Sequence, residues 1–184
     1  LDIYLNRIKD NPSPYLFQTY RGHISERSFQ ERLKKAIRDS QIIVGYTTYI
    51  KLIKNLIKGK DTFFSGMTGE IERVAYALKK AREGKNVCLV SSGDPGVYGM
   101  AGLALEILHK EDVKKVRLEI IPAITAACAA ASLLGAPLTN DFAVISLSDL
   151  LTERKIIKQR LSAAAKADFV LAIYNPRSKK RTKP

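Results

Sequence analysis

The chain has 184 residues, 46% of them hydrophobic, which is enough for the core of one full domain and part of a second. Nowhere do eighteen apolar residues follow one another, and the first twenty residues lack the pattern of a secretion signal, so we expect a cytoplasmic protein that does not act on membranes. The net charge of +13 favours an anionic partner; since no nucleic-acid-binding motif is recognisable, we do not expect nucleic acid, and a basic surface that serves only solubility is an equal alternative.

The first predicted element is a helix that begins near Ser25, a residue type that often caps a helix N-terminus. Phe29, Leu33 and Ile37 follow at the spacing of one helical face. From residue 40 onward, short β-rich runs alternate with helical periodicity. This alternation is typical of an α/β domain with a largely parallel sheet.

Residues 41–108 are predicted to form two strands and the helical segments that follow them. Each strand is a short apolar run, and each helix shows apolar residues three and four positions apart. The predicted elements are a strand at 41–46, a helical segment carrying Ile50, Ile53 and Ile57, a helix with the apolar stripe Ile71, Val74, Ala75 and Leu78 that ends at Gly84, a strand at 86–91 and a helix over 103–108.

Residues 116–174 continue the same alternation. They include a helix of unusually small side chains, which lets a helix backbone pack close to a sheet or a ligand. The predicted elements are a strand at 116–121, the small-residue helix at 123–132 closed by Gly135 and Pro137, a strand at 141–147, a helix at 153–165 with Ile156, Ile157, Leu161 and Ala164 facing inward, and a strand at 169–174.

The segment SSGDPGVYGMAGL at 91–103 is the strongest functional signal in the chain, with a glycine at every third position. It follows a predicted strand, and ligands of open parallel sheets bind outside the carboxyl ends of the strands. Gly93 can adopt backbone angles closed to other residues and leaves room beside the chain. Asp94 can accept hydrogen bonds from a ligand or cap the adjacent helix, and the sequence leaves both roles open. The spacing matches neither a dinucleotide-binding fingerprint nor a P-loop.

The cysteines and histidines give no sign of a metal site or a disulfide framework. Cys88 and Cys128 lack the spacing of either and are predicted to be buried small side chains. His23 and His109 stand apart from each other and from any cluster of carboxylates. We therefore expect no protein-bound metal.

Three separated blocks resemble the tetrapyrrole methylases in order and spacing: SSGDPGVYGMAGL, IIPAITAACAAASLLGAPLTNDFAVISLSDLL at 120–151 and FVLAIYNPRSKKR at 169–181. Within that family they resemble the C17-methyltransferases of precorrin-3B or cobalt-precorrin-3 in cobalamin biosynthesis. The resemblance implies a tetrapyrrole methylase-like α/β fold, with a mostly parallel N-terminal sheet that carries helices on both faces and a second α/β domain. We expect the N-terminal domain at residues 1–137 and, at 138–184, the start of a C-terminal domain that is incomplete.

The resemblance also implies a homodimer that uses S-adenosylmethionine (SAM) as methyl donor and methylates C17 of an anionic, carboxylate-rimmed tetrapyrrole with ring contraction. It identifies no catalytic base. The implied cofactor contacts are Gly93, Asp94 and Val97 in the glycine-rich loop, Thr125 and Ala126 at the start of the small-residue helix, and Tyr174 and Asn175 at the end of the last strand. Candidate contacts to the substrate carboxylates are Arg177, Lys179, Lys180 and Arg181, although a solvated basic loop is an equal interpretation.

One segment and one residue depart from the family pattern. The family opens with a G-x-G-P-G loop, whereas Gly22 is the only glycine among the first forty residues here. Ala123 stands where the family has glycine, and a positive φ there would cost alanine about 1 kcal/mol. These departures keep open two alternatives, a methylase-fold protein that binds SAM without turnover and a different precorrin methyltransferase; a binder of anionic polymers is a third.

Overall fold

The computed structural model describes residues 26–110 and 116–176, with side chains from residue 31 onward. No helix within these ranges is long and apolar enough to cross a membrane. The elements are α1 (Glu26–Asp39), β1 (Ile42–Tyr46), α2 (Thr47–Leu52), β2 (Asp61–Ser65), α3 (Glu70–Arg82), β3 (Val87–Val90), α4 (Ala101–Lys110), α5 (Ala126–Leu133), β4 (Phe142–Ser146), α6 (Arg154–Lys166) and β5 (Val170–Tyr174).

The described residues divide into two compact units. The first contains the chain up to Val90 together with Leu103–Ile121, and the second contains Ser91–Gly102 together with the chain from Pro122 onward. The second unit is therefore built from two separate stretches of sequence. The domain division predicted between residues 137 and 138 stays a prediction.

The first unit is organised around β1, the central strand of a parallel sheet with the order β2–β1–β3. Successive residues of a strand point to opposite faces, and both faces of β1 are covered. Ile43 packs against Ile37 of α1 on one face, and Ile42 and Val44 pack with Ala77 of α3 on the other. This confirms the predicted parallel sheet with helices on both faces and explains why β1 is an unbroken apolar run.

Gly45 is required by the close approach of β3 to β1. It pairs with Val90, and a Cβ at this position would lie 2.6 Å from Val90 Cγ2 and 3.1 Å from Ile50 Cδ1. Both distances are shorter than ordinary contact between carbon atoms, because Val90 and Ile50 fill the space where the side chain would be. The glycine thus allows these two side chains to pack over the middle of the sheet.

Helix α3 forms where predicted, but its buried face is rotated from the predicted stripe. Val74 and Leu78 are buried, whereas Ile71 is 67% exposed and Ala75 is also exposed. Arg73 lies on the buried face with only 3% of its surface exposed. The periodicity could not predict this phase, because the buried face is set partly by the polar contacts of an arginine.

The guanidinium of Arg73 holds the loop that leaves β2. Its Nη1 donates to the Ser65 hydroxyl and to the Gly66 carbonyl, both at 2.8 Å, while Nη2 lies 3.2 Å from a carboxylate oxygen of Glu70. It also lies over the ring of Tyr46 at the end of β1, with 5.9 Å between Cζ and the ring centroid. A single buried charge therefore connects the carboxyl ends of two neighbouring strands.

The strand predicted at 116–121 is wrong, because these residues form no strand in the structure. Val116 packs into the cluster formed by α3 and α4, but Leu118 and Ile120 are 37% and 41% exposed. The alternating pattern is present, yet only one of its three apolar residues is covered. Strand β2, by contrast, was not predicted and is present. Its Phe64 is 53% exposed, and pairing with β1 rather than burial of its side chains defines the strand.

The second unit contains a two-stranded parallel sheet formed by β4 and β5. Ile145 of β4 packs against Ile157 and Ala164 of α6, as the inward-facing pattern predicted. Ile156, predicted to face inward as well, is 36% exposed. The helical phase again leaves one residue of the predicted stripe outside the core.

Several smaller predictions have clear outcomes. Gly84 and Gly135 have positive φ values of 82° and 99° just after α3 and α5, which confirms both as helix ends. Leu33 of α1 is 43% exposed, so it does not share the buried face of Ile37, and Ser25 lies outside the described residues. Cys128 is exposed, contrary to prediction, because Ala127 is the only buried residue of α5. Cys88 is partly buried, and burial raises the pKa of its thiol.

We expect Gly45→Ala to lower the free energy of unfolding by about 1–3 kcal/mol, because the added methyl group must displace Val90 or Ile50. Gly102→Ala is the matched control: Gly102 lies in α4, and an added Cβ meets nothing within 4 Å. That variant should be neutral or more stable by up to about 1 kcal/mol. Urea titration followed by circular dichroism measures both, and equal midpoints for the two variants would contradict the packing argument.

Candidate functional site

The glycine-rich loop of the second unit runs from β3 to α4 and depends on two of its glycines. Gly93 has a φ of 66°, as its predicted conformational freedom allows. At Gly99, a Cβ would lie 2.5 Å from the carbonyl oxygen of Pro95, so no side chain fits there. Ala101, the first residue of α4, donates its N–H to the same oxygen at 3.0 Å. The loop is therefore a tight turn that carries no side chain at Gly93 and Gly99.

Asp94 uses both of its carboxylate oxygens to hold backbone N–H groups. Oδ1 accepts from Gly96 N within the loop, and Oδ2 accepts from Ala123 N in the segment before α5, both at 2.8 Å. It does not cap α4, which begins only at Ala101. The carboxylate instead joins the two stretches of sequence that form the second unit. Ala123 does not have a positive φ, so the strain considered for alanine there does not arise.

Tyr174, at the end of β5, caps helix α5 from outside the helix. Thr125 is the N-cap residue, but its side chain makes no capping bond to the helix backbone. The Tyr174 hydroxyl hydrogen-bonds to the Thr125 hydroxyl and accepts the N–H of Ala127 at 2.8 Å. A phenol thus does what an N-cap side chain ordinarily does and fixes the start of α5 beside the end of β5.

Asn175, the residue after β5, is held in a left-handed backbone conformation with a φ of 51°. Its Nδ2 donates to Ser146 Oγ at 3.0 Å, and the same oxygen accepts the N–H of Ser148 at 3.2 Å. Ser146 ends β4 in register with Tyr174. The carboxyl ends of both strands are therefore joined by side-chain hydrogen bonds, at the edge where parallel sheets bind ligands.

Two residues of this network were missed from the sequence. One is Ser146; its position at the end of a predicted strand was the available signal. The other is Tyr98, whose hydroxyl donates to the Val144 carbonyl at 3.0 Å and whose ring centroid lies 5.1 Å from that of Tyr174. Nothing in local periodicity points to either contact.

The predicted cofactor contacts all lie in the second unit, in the glycine-rich loop, at the start of α5 and at the end of β5. Hydrogen bonds join the loop to Ala123, just before α5, and join the end of β5 to the start of α5. Gly93 sits near the segment before α5, since a Cβ there would lie 3.8 Å from the Ile124 carbonyl oxygen. Val97 donates its N–H to the Asp94 carbonyl at 3.2 Å, and Ala126 is the exposed first residue of α5. The candidate substrate contacts Arg177, Lys179, Lys180 and Arg181 lie outside the described residues.

The arrangement offers a ligand exposed backbone atoms rather than charged side chains. Gly93 and Gly96 are exposed, Ala126 is exposed, and the carboxylate of Asp94 is occupied by backbone N–H groups. Within residues 26–110 and 116–176, no three histidine, cysteine or acidic side chains are grouped closely enough to hold a metal ion.

We expect Asp94→Ala to destabilise the protein by about 2–4 kcal/mol, because two backbone N–H groups lose a charged acceptor. Amide hydrogen exchange should become faster at Gly96 and Ala123. Asp141→Ala, which removes an exposed carboxylate of the same unit, is the control and should change neither rate. Unaltered exchange at both amides of the Asp94 variant would show that the carboxylate does not hold the two segments.

Tyr174→Phe keeps the ring and removes only the hydroxyl that caps α5. We expect a loss of about 1–2 kcal/mol, since the Ala127 N–H and the Thr125 hydroxyl both lose their partner. Thermal unfolding measures the stability, and exchange at Ala127 reports the cap itself. Tyr76→Phe, whose stacked ring contact with Phe63 is retained, serves as control. If the two variants unfold at the same temperature, the Tyr174 hydroxyl is not a cap.

Comparison with known proteins places this chain in a family. Residues 29–183 match the family described as Tetrapyrrole (Corrin/Porphyrin) Methylases. The chain is 51% identical over 147 residues to the probable cobalt-factor III C(17)-methyltransferase of Salmonella typhimurium, covering 80% of this chain and 61% of that protein. It is 49% identical over 156 residues to the cobalt-factor III methyltransferase of Priestia megaterium, covering 83% of this chain and 29% of that protein.

A solved structure agrees with this result. The crystal structure of the methyltransferase CobJ aligns with a TM-score of 0.78 at 38% identity, covering 87% of this chain and 65% of that one. The chain thus spans less than two thirds of the length of each of these three proteins. Since the family match extends over more than half of the residues, the chain belongs to the tetrapyrrole methylase family.

Proposed function

We propose that this chain acts as a SAM-dependent methyltransferase on C17 of a precorrin-3-type tetrapyrrole, with ring contraction, in the biosynthesis of cobalamin. The observation that carries the proposal is the hydrogen-bonded junction of the glycine-rich loop, the start of α5 and the end of β5. Family membership and two relatives at about half identity, one named as a cobalt-factor III methyltransferase and one as a probable cobalt-factor III C(17)-methyltransferase, support the reaction and the substrate class.

The residues at this junction fit SAM by their chemistry. SAM carries an ammonium group, a carboxylate and two ribose hydroxyls, all of which bind well to backbone N–H and carbonyl groups. The exposed backbone at Gly93 and the start of α5 supplies such groups without side chains in the way. The proposed contacts are Gly93, Asp94, Val97, Thr125, Ala126, Tyr174 and Asn175.

When bound, SAM supplies an activated methyl group that needs little further chemical assistance. The work left to the protein is to hold donor and acceptor in line and to exclude water from between them. Rigid backbone suits this task, and the junction obtains its rigidity from Asp94 and Tyr174, which bond to N–H groups on separate segments. We assign no general base.

The net charge of +13 supports an anionic, carboxylate-rimmed substrate, because a basic surface attracts such a molecule and raises its local concentration. We propose Arg177, Lys179, Lys180 and Arg181 as contacts to its carboxylates. The homodimer, the cytoplasmic location and the absence of nucleic-acid and membrane partners are proposed on the family resemblance and on the composition of the chain.

Calorimetric titration with SAM and with S-adenosylhomocysteine tests the cofactor, and we expect both to bind at one site per chain. Incubation with SAM and the trimethylated tetrapyrrole, cobalt-loaded or metal-free, should then yield a product heavier by one methyl group in mass spectrometry. Ile157→Val, which removes one methyl group from the core between α6 and β4, is the control and should bind both nucleosides as the wild type does. Absence of binding to either nucleoside would refute the cofactor assignment, whereas binding without methyl transfer would favour a methylase-fold protein that only holds SAM.

A further inference from the structure

Tyr98 occupies a backbone conformation that suits glycine better than tyrosine. Its φ is 51°, in the left-handed region, where bulky side chains are outliers and persist only if surrounding contacts hold them. It lies within the glycine-rich loop, one residue before Gly99, and a further glycine at this position would fit the backbone without strain. The position therefore retains an aromatic side chain in spite of the backbone, which calls for a reason in the contacts of that side chain.

The burial of Tyr98 does not supply that reason. The side chain is 52% exposed, and it belongs to none of the buried clusters among the described residues. Burial of an aromatic side chain usually stabilises a fold by removing most of its surface from water, and here half of that surface remains in contact with solvent. A role confined to the core is thus a poor explanation.

The specific contacts of Tyr98 lead to Tyr174 and to β4. The two tyrosine rings lie 5.1 Å apart with an angle of 51° between their planes, within the range of favourable aromatic pairs. The Tyr98 hydroxyl donates to the Val144 carbonyl of β4, so the ring is fixed at its far end as well. Tyr98 is anchored at the backbone by the loop and at the hydroxyl by the strand, with its ring against Tyr174.

Tyr174 in turn places its hydroxyl at the start of α5. The position of that hydroxyl is narrowly defined, because it hydrogen-bonds to both the Thr125 hydroxyl and the Ala127 N–H. A phenol ring that could swing about its side-chain torsions would lose both bonds at once. The ring of Tyr98 lies where it limits this movement.

We infer that Tyr98 is a positioning residue of the candidate cofactor site: its ring holds the Tyr174 ring so that the Tyr174 hydroxyl stays at the N-terminus of α5. Its effect on SAM rests on the proposed function, whereas its effect on the α5 cap does not. The ring is the active part, and the hydroxyl contributes by orienting it.

Two substitutions at Tyr98 separate the ring from the hydroxyl, and a third substitution elsewhere serves as a control. Tyr98→Phe keeps the ring, Tyr98→Gly removes it while suiting the positive φ, and Ile145→Val is a matched control that loosens the core of the same unit without touching either tyrosine. Amide exchange at Ala127 is the main readout, and exchange at Ala123, which is held by Asp94, is the internal reference.

We expect Tyr98→Gly to speed exchange at Ala127 at least tenfold relative to Ala123 and to weaken SAM binding at least fivefold. Tyr98→Phe should change both by less than threefold, and Ile145→Val should affect the two amides alike. Equal effects of Tyr98→Gly on both amides, or a Phe variant as impaired as the Gly variant, would overturn the inference. If the wild type binds no SAM, the proposed function fails, and the Ala127 rates still decide whether Tyr98 holds the cap.

Discussion

The second unit depends on hydrogen bonds that join separate stretches of sequence, and the carboxylate of Asp94 accepts one of them. One oxygen shapes the glycine-rich loop by accepting from Gly96, and the other reaches Ala123 in the stretch that begins at Pro122. The loop has few bulky side chains with which to pack, since a glycine stands at every third position. A charged acceptor with two backbone donors replaces the missing packing, because such bonds are stronger than those between neutral groups.

The start of α5 is likewise held by a side chain distant in sequence, here the neutral phenol of Tyr174. This helix has eight residues, mostly alanine, and only Ala127 is buried, so apolar packing contributes little to it. Helices of this length are marginal by themselves, and their first N–H groups need acceptors. The phenol of Tyr174 provides one from the neighbouring strand. The small side chains of α5 are thus compatible with a defined helix start because a residue distant in sequence holds it.

The sequence predicted most of the elements because hydrophobic period and glycine position are local signals. Strand β1, helix α6 and the helix ends at Gly84 and Gly135 all follow from residues within a few positions of each other. The phase of α3 was wrong, because a buried guanidinium on the inner face cannot be recognised from apolar spacing. The strand at 116–121 was wrong because alternation shows that one face is apolar but not that a neighbouring strand exists to pair with it.

The same distinction applies to the candidate site. Gly93 could be recognised from its place after a strand, and Thr125 and Tyr174 from the family resemblance. For Ser146 the only signal was its position at the end of a predicted strand, and for Tyr98 there was none. Their partners lie 29 and 46 positions away in sequence, and the partner of Tyr98 is a backbone carbonyl, which any residue would present. Contacts of this kind are set by strand register and backbone direction, and a single sequence contains neither explicitly.

The cap that Tyr174 places on α5 also bears on the order in which the molecule is assembled during synthesis. The two hydroxyls that meet there belong to residues 49 positions apart, so the ribosome completes α5 well before its cap exists. At roughly 5–20 residues per second, the delay is about 2–10 s, far longer than a helix needs to form or melt. For that interval α5 lacks its external acceptor, and the nascent chain acquires this part of the second unit only when β5 joins β4.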